Sequence, residues 1–321
     1  MRNNTADKNE SGAEFKTTIG GQALLEGILM RGPSKQCIAV RTKDGIVKKT
    51  TPLRLTKDRH KAAGFPFIRG VINFGASMTA GVRALMYSAE FIDVGDDEPS
   101  ESKFDKWIEK KLGGENAEKV IVAISVVFGI GLSVLLFMLL PTVIAGFATR
   151  FTEAAIVKNL IEGLLRIIIF VAYIGLTSMI PDMKRVWKYH GAEHKTIFCY
   201  EKNLPLTVEN ARIQPRCHPR CGTSFMLIVM VVSILVFSVF RWQGVLFRIV
   251  SRLLLLPVVV AVSYELIRWT GRHDNAVTRV ISAPGKALQR LTTSEPDDSM
   301  LEVALAALAE VLPETDGADK W

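Results

Sequence analysis

Long apolar stretches without charges alternate with short polar segments between residues 118 and 270. Residues 120–140 form 21 consecutive positions with no charged side chain, and about 20 apolar helical residues suffice to cross a bilayer core. Residues 156–180, 224–240 and 245–269 are also apolar, and any charges lie near their ends, where long side chains can reach the headgroups. The pattern predicts a mainly α fold, a polytopic membrane helical bundle with about four transmembrane helices.

The basic residues give the predicted spans an orientation. Residues 181–223 contain eight Lys and Arg residues, and further ones cluster before residue 120 and after residue 270. The two remaining short loops contain far fewer, and loops rich in Lys and Arg stay on the cytoplasmic side of a membrane. Four spans with both termini in the cytoplasm fit the charge of every loop, which predicts a multi-pass protein of the cytoplasmic membrane.

The composition agrees with a membrane protein and gives no reason to expect a nucleic acid partner, a signal peptide or disulfides. The chain of 321 residues is 49% hydrophobic and has a net charge of +8. The excess of Lys and Arg is explained by the cytoplasmic location of the basic loops and by attraction to anionic lipid headgroups, so no nucleic acid partner is expected. The first 20 residues are polar, so no cleavable signal peptide is predicted. The four cysteines would lie in the reducing cytoplasm, where metal binding or burial explains them better than disulfides.

Residues 15–117 are predicted to form a cytoplasmic region that follows a disordered, polar tail of residues 1–14. Strand-like runs on both sides of Asp44-Gly45 predict a β-hairpin over residues 36–50. Residues 65–92 combine apolar and small side chains, but their longest uncharged part has only 13 residues, too few to span a bilayer. We expect a helix there that lies in the interface or packs against the bundle.

The C-terminal segment, residues 271–321, is predicted to be a cytoplasmic tail with an amphipathic helix. Such a helix and the N-terminal hairpin are candidate docking surfaces for protein partners. A second copy of the chain is a further candidate partner, in addition to the lipid bilayer. After Pro296 and two aspartates, apolar side chains recur at helical spacing: Met300, Leu301, Ala304, Leu305, Leu308, Val311 and Leu312.

The segment of residues 181–223, between the second and third predicted spans, carries the residues best suited to bind a metal ion. His190 and His194 are four residues apart, so on a helix they share one face and can hold one ion. Cys217 and Cys221 have the C-x₃-C spacing of a turn that directs two thiolates inward. Together they predict a site for Zn²⁺ or another divalent transition metal.

Two uses of such a metal are open. If both histidines and both cysteines bind it, the site is a closed tetrahedral zinc site that stabilises the segment without doing chemistry. If one position stays open, Glu193 is placed to act as a general base, and the string H-x-x-E-H resembles the inverted zincin pattern. A third explanation needs no metal, because His and Cys side chains near headgroups can also be packed or hydrogen-bonded.

Other ionisable residues are candidates for additional roles. Three could serve as further metal ligands: His218, Glu265 and His273. Four more lie near the outer ends of the second and fourth predicted spans, at i,i+4 spacing. Charges at membrane depth are costly, so an ion pair or a contact with lipid phosphate is expected for each pair: Glu162 with Arg166, and Arg248 with Arg252.

A glycine-containing segment near the N-terminus also carries polar residues. Paired glycines beside a glutamine permit a close backbone approach, either to a ligand or to residues 181–223. A tight turn before a helix explains the same residues equally well. The residues concerned are Gly20, Gly21, Gln22, Glu26 and Arg31.

Four strings stand out along the chain: GGQALLEGILMRGP, HGAEHKT, RCHPRCGTSF and LTTSEPDD. They resemble the signatures of the YqhQ-like bacterial membrane proteins, and the resemblance extends from about Gly20 to Leu312. That family has a domain of unknown function and is commonly described as a predicted metal-dependent enzyme. The resemblance implies a protein of the bacterial cytoplasmic (inner) membrane, and it implies no substrate.

The leading hypothesis is an integral membrane metal-binding protein that catalyses metal-dependent hydrolysis at the cytoplasmic face, with residues 118–270 as its membrane domain. The alternative is a non-enzymatic membrane scaffold or assembly factor with structural zinc, which would dock partners through the hairpin and the C-terminal helix. Transport is a weaker alternative, because no predicted span has a polar stripe through its centre.

Overall fold

The computed structural model describes residues 15–53, 64–91, 114–148, 154–238, 245–273, 275–315 and 317–320. Within helices, the side chains of residues 114–119, 122–123, 148, 155, 245–246 and 248–249 are not described. The predicted tail of residues 1–14 and the Arg248 side chain therefore lie outside the described residues. The chain divides into two compact units, one from Met1–Phe91, Thr177–Phe225 and Ala261–Trp321, the other from Ile92–Leu176 and Met226–Val260.

Strands occur near the N-terminus and helices make up most of the rest. The strands are β1 (Gly20–Leu24), β2 (Gly27–Arg31), β3 (Lys35–Thr42) and β4 (Gly45–Pro52). A π-helical turn, Leu135–Leu139, joins the second and third helices. The helices are α1 (Ile68–Ala89), α2 (Gly114–Val134), α3 (Leu140–Ala148), α4 (Ala155–Thr177), α5 (Pro181–Glu201), α6 (Val208–Arg212), α7 (Gly222–Ser238), α8 (Val245–Arg272), α9 (Ala276–Thr292) and α10 (Asp298–Val311).

The four strands form one antiparallel sheet in the order β1-β2-β3-β4. The predicted hairpin is present as β3 and β4, with Thr42 paired with Gly45 across the turn. The hairpin of β1 and β2 was not predicted, because the glycine-containing segment was interpreted as a close backbone approach or as a tight turn before a helix. Glu26 occupies its turn with φ of 50°, a conformation that few non-glycine residues adopt.

The core of the first unit lies between the sheet, α5 and α10. Ile28 and Met30 of β2 and Cys37 and Ala39 of β3 are fully buried against the two helices. Each large apolar side chain buried in this way contributes roughly 1.5–3 kcal/mol. From α10 the core receives Met300, Leu301, Val303, Ala304, Ala307, Leu308 and Val311. The apolar face predicted to dock a partner is thus covered by the same chain, since the sheet needs a helix to bury its own apolar face.

Helix α1 matches the expected helix within residues 65–92 and packs through its small residues. Gly70 lies so close to Tyr264 that a side chain would overlap it, and Gly81 lies against the side-chain amide of Gln22. Large apolar side chains such as Met78 and Val82 are exposed on its other side. Helix α1 is not among the described helices that are apolar enough to cross a membrane.

Within the part of the chain that the structure describes, three helical segments are long and apolar enough to cross a membrane: Ile124–Phe147, Ile156–Thr177 and Val250–Arg272. They correspond to the first, second and fourth predicted spans. The third predicted span is the apolar helix α7, whose 17 residues are fewer than the roughly 20 that a span usually needs. The structure therefore shows three candidate spans and one shorter apolar helix, and the four-span topology stays a prediction.

A buried ionic cluster lies inside the second unit. Oε1 of Glu162 accepts hydrogen bonds from Arg252 at 2.5 Å, Thr142 at 2.8 Å and Arg166 at 3.3 Å. Arg166 also donates through Nε to the carbonyl of Phe137 in the π-helical turn, at 2.9 Å. Glu162 thus pairs with an arginine four residues away and with a second one from another helix. Such internal pairing is the usual way to keep charges within apolar helices.

Candidate metal centre

Helix α5 carries two of the predicted metal ligands, His190 and His194, in its buried part. It begins with Pro181, a residue favoured at the first helical position. Every residue from Tyr189 to Ile197 is buried, so His190, Glu193 and His194 are all removed from bulk solvent. A side chain at Gly191 would overlap the carbonyl of Ser294, and this close crossing fixes the chain after α9 against α5.

His190, His194 and Cys221 form the ligand group. One ligand atom of each lies within 4.8 Å of the other two, and all three residues are buried. Nε2 of His190 is 3.0 Å from Sγ of Cys221. The imidazole rings of the two histidines have centroids 4.4 Å apart. Two nitrogens and a sulfur at this spacing match the donor set of transition-metal sites in proteins.

Backbone carbonyls fix the orientation of both imidazoles. Nδ1 of His190 donates to the carbonyl of Thr292 at 2.7 Å, and Nδ1 of His194 donates to the carbonyl of Arg216 at 2.6 Å. Because a carbonyl only accepts, each Nδ1 must carry the proton, which leaves Nε2 of each neutral ring with a lone pair. This tautomer is the one in which both Nε2 atoms can bind a metal.

Nε2 of His194 is a buried polar atom without a hydrogen-bond partner among the described residues. Leaving such an atom unsatisfied costs about 1–3 kcal/mol. A metal ion bound by the ligand group would satisfy it. The residues present therefore fit a metal.

The electrostatics of the ligand group favour a thiolate. Burial by itself would raise the pKa of Cys221, but the imidazoles of His190 and His194 hold that pKa well below its ordinary value. Burial by itself would lower the pKa of His190, but the adjacent sulfur raises it to about 9. A thiolate is the form of cysteine that binds metals.

Glu193 lies beside the ligand group and is held by the first strand. Its Oε1 accepts a hydrogen bond from the backbone N–H of Gly21 at 3.0 Å. Burial raises the pKa of Glu193 above its ordinary value, and the two histidines oppose that rise only in part. A carboxylate whose pKa is raised is a stronger base than an ordinary carboxylate.

A cavity of about 130 Å³ opens against the ligand group. Its lining includes Glu193, His194 and Cys221, together with Gly20 and Gly21. The volume is enough for several water molecules or a small polar group, because one ordered water needs roughly 10–15 Å³ of such space. The ligand group thus faces a polar cavity.

Cys217 and His218 are not part of the ligand group. Cys217 is half-buried, and it is absent from the clusters of described residues that could hold a metal. His218 is buried in a separate network, where Nε2 lies 3.2 Å from Oε2 of Glu201. Arg220 also forms an ion pair with Glu201. The backbone N–H and carbonyl of His218 are both bound by the side chain of Gln289.

The two candidate ligands beyond α7 also lie elsewhere. Glu265 forms an ion pair with Arg69 of α1. His273 is exposed, and its Nδ1 is 3.0 Å from the carbonyl of Trp269. Neither belongs to the described group that could hold a metal.

The glycine-containing segment meets α5 at several points. A Cβ at Gly21 would lie 2.7 Å from the carbonyl oxygen of Leu29 and 3.0 Å from Cδ of Glu193, whereas Gly20 has open space around it. Glu26 binds Arg185 of α5 through two hydrogen bonds, one of them 2.6 Å long. Two residues have other partners: Gln22 packs against Gly81, and Arg31 donates to Ser77 at 2.8 Å.

Several residues of the site carry no recognisable signal in the sequence. Thr292 and Arg216 contribute only their backbone carbonyls, which any residue could supply. Gln289 is fully buried beside the ligand-bearing turn and looks like an ordinary polar residue of an amphipathic helix. The string LTTSEPDD, which contains Thr292, is the one hint that this segment belongs to the site.

Comparison with known proteins gives a family without an assigned activity. Residues 65–314 match the model of a family described as "Protein of unknown function (DUF1385)". The uncharacterized protein YqhQ of Bacillus subtilis (strain 168) is 34% identical over 301 residues, which cover 91% of this chain and 92% of that protein. No solved structure matches the chain.

Proposed function

Because the chain belongs to the DUF1385 family of proteins of unknown function, its activity must be inferred from its own residues, and we propose a membrane-bound metal-dependent hydrolase. In this proposal His190, His194 and Cys221 hold a divalent transition metal, and Glu193 is the general base. When bound, such a metal acts as a Lewis acid and makes a water nucleophile available at neutral pH. Zn²⁺ is the first candidate, given two imidazoles and one thiolate.

One observation carries the proposal: the group has three protein ligands rather than four, and a cavity lies beside it. Structural zinc sites are usually closed by four protein ligands, whereas catalytic sites use three and keep one position open. Here the ligand group of three is buried, and the adjacent cavity of about 130 Å³ is lined by Glu193. A substrate group and a water molecule would both have room beside the ligands.

Glu193 has the properties that a base at this position needs. It is on the same helix as both histidines and lines the same cavity. The N–H of Gly21 holds one carboxylate oxygen, so the group is oriented before a substrate arrives. In the reaction, its carboxylate would accept a proton from the attacking water and later pass it to the leaving group.

The position of the ligands in the sequence favours a substrate borne by the membrane. Cys221 directly precedes the apolar helix α7, which begins at Gly222. Helix α5 begins at Pro181, four residues after the candidate span that ends at Thr177. Helix α5 is thus joined to an apolar helix by three residues, and Cys221 is joined to one directly. This connection supports placing the site at the cytoplasmic membrane face, as the loop charges predict.

The non-enzymatic scaffold with structural zinc remains the rival proposal. It requires a fourth protein ligand to close the site. Cys217 was the predicted fourth ligand, and it lies outside the group of three in the structure. The two proposals differ in what a change at Glu193 does.

The decisive experiment compares wild type with Glu193→Gln in the full chain, purified without chelators. We expect about one transition metal per chain in both proteins, since Glu193 is not a ligand. We also expect Glu193→Gln to abolish complementation of a deletion strain, because removing a general base costs about 10²–10⁴ in rate. Glu295→Gln is the matched control, since Glu295 is an exposed carboxylate, and neither it nor its ion-pair partner Lys195 is among the residues that line the cavity.

Each outcome of this experiment is informative. A wild-type protein without metal would contradict both zinc proposals. A Glu193→Gln protein that keeps its metal and still complements would favour the scaffold. Loss of complementation with metal and thermal stability retained would support catalysis.

A further inference from the structure

Helix α9 has the reverse of the polarity expected for a helix on the surface of a soluble protein. Its buried residues are mostly polar: Thr278, Ser282, Gln289 and Thr292, with Gly285 and Leu288. Its exposed apolar residues include Val277 at 57%, Val280 at 73% and Leu291 at 40% exposure. An amphipathic helix of a soluble protein buries its apolar face. The exposed apolar face of α9 thus calls for an apolar surrounding that the described chain does not supply.

The exposed apolar residues form one stripe along the helix. Val277, Val280 and Leu291 are separated by three and eleven residues, which places them within about 60° of one another at 100° per residue. Ile281, Pro284 and Ala287 extend the same stripe, and none of them is buried. The stripe therefore runs the length of α9.

A basic stripe flanks the apolar one. Arg279, Lys286 and Arg290 are seven and four residues apart, so they share one face, and all three are exposed. Helix α9 contains no acidic residue. A helix with an apolar stripe, a basic flank and no acidic residue is typical of helices that lie in the interface of an anionic bilayer.

The start of α9 suits such a position. The helix begins four residues after Arg272, the end of the last candidate span. Asn275 and Thr278 form a reciprocal capping box, with hydrogen bonds of 2.9 Å in each direction. This cap starts a new helix rather than continuing α8, so the chain can turn from a membrane-crossing direction into the plane of the interface.

We propose that α9 is an interfacial membrane helix, with Val277, Val280 and Leu291 among the lipid chains and with Arg279, Lys286 and Arg290 at the phosphates of anionic lipids. The proposal does not depend on hydrolase activity. The polar face of the same helix holds the metal centre, because the Thr292 carbonyl binds His190 and the Gln289 side chain binds His218. The membrane surface would thereby position the ligand group through one helix.

Photo-crosslinking in the full chain tests the lipid contact. A diazirine amino acid replaces Val280 in one protein and Val277 in another, and each is reconstituted in nanodiscs that contain equal amounts of phosphatidylglycerol and phosphatidylcholine. Asp44, an exposed residue in the turn between β3 and β4, is the control position. We expect phospholipid adducts by mass spectrometry at 277 and 280 and at most one-tenth of that yield at 44.

The lipid headgroup of each adduct tests the basic stripe. Adducts at position 280 should be enriched several-fold in phosphatidylglycerol relative to its mole fraction. Replacement of Arg279, Lys286 and Arg290 by Gln should return that ratio to the mole fraction and leave the metal content unchanged.

Several results would overturn the proposal. Protein adducts instead of lipid adducts at both 277 and 280 would identify a protein partner, and crosslinked dimers would identify a second copy of the chain. No preference for phosphatidylglycerol in the unsubstituted helix would refute the proposed contact with anionic phosphates. The use of two positions keeps the test decisive if one substituted protein does not fold.

Discussion

The backbone N–H of Gly21 donates to Oε1 of Glu193 at 3.0 Å and so ties the first strand to the helix that bears both histidine ligands. This contact depends on the absence of a side chain at residue 21. A Cβ there would lie 2.7 Å from the carbonyl of Leu29 and 3.0 Å from Cδ of Glu193. The two residues are 172 positions apart in the chain, so the relationship exists only in the folded protein.

Gly21→Ala should displace Glu193 and lower activity more than it lowers metal content. The added methyl group must push either β2 or the carboxylate, and overpacking of this kind costs about 1–3 kcal/mol. Gly75→Ala in α1 is the control, since nothing lies within 4 Å of a Cβ at Gly75 and that residue does not line the cavity. Complementation and metal content of both variants check the prediction. If the two variants behave alike, the contact between Gly21 and Glu193 is not needed for function.

Cys221→Ser should lose the metal, whereas Cys217→Ser should keep it. Only Cys221 has its sulfur beside His190, at 3.0 Å, and only Cys221 belongs to the ligand group. Loss of a ligand should weaken binding at least as much as the roughly 10–100-fold effect of losing an outer-shell partner. Elemental analysis after dialysis against a weak chelator measures the difference. Metal loss from both variants would instead indicate a four-ligand site.

Gln289→Leu should destabilise the protein by about 2–4 kcal/mol. Gln289 is fully buried, accepts from the backbone N–H of His218 at 2.7 Å and donates to its carbonyl at 2.8 Å. The substitution leaves both backbone groups without this partner, and each buried unsatisfied group costs about 1–3 kcal/mol. Arg290→Gln, at the next and exposed position, should change stability by less than about 0.5 kcal/mol. Thermal unfolding in detergent compares the two.

The stability that His218 and Glu201 provide should fall as the pH is lowered from 7 toward 5. Burial lowers the pKa of His218 below its ordinary value of 6.5, and an interaction with Glu201 opposes this only in part. Burial would raise the pKa of Glu201, but His218 and Arg220 hold it below its ordinary value. Both groups bind protons more readily in the unfolded chain, so the stability they provide is present at neutral pH and lost on acidification.

The pH window identifies the group responsible. The contribution of His218 should begin to disappear below about pH 6.5, and that of Glu201 only at more acidic values, below about 4.5. His218→Gln keeps a hydrogen-bond donor toward Glu201 but does not titrate. Its melting temperature should therefore depend less on pH between 7 and 5 than that of wild type. An unchanged pH dependence would assign the effect to other groups.

The sequence predicted those elements whose formation depends on residues close together in the chain. The hairpin of β3 and β4 follows from strand-like runs around Asp44-Gly45, and the structure pairs Thr42 with Gly45. The hairpin of β1 and β2 has no such signal, because its turn contains Glu26 with a positive φ. The carboxylate of Glu26 is bound by Arg185 of α5, so a distant part of the chain contributes to this turn.

The metal ligands, too, could be predicted only in part from the sequence. Spacing alone treats Cys217 and Cys221 as equivalent, and only the folded chain brings one of them to His190. The carbonyls of Thr292 and Arg216 orient the imidazoles. Every residue has a backbone carbonyl, so the sequence does not show which carbonyls have this role. The apolar residues of α10 predicted the helix correctly, but not that the sheet and α5 cover its face.

The unit that contains the metal centre is assembled from three separate parts of the chain, and this sets an order of events during synthesis. The ribosome completes Gly21 and both histidines long before it reaches Thr292, whose carbonyl holds His190. Domains generally fold as units while the chain emerges, but this one lacks its last segment until the ribosome has passed residue 292. Metal loading should therefore be a late step, and a nascent chain that stops before residue 292 would expose its cysteines and histidines to scavenging ions.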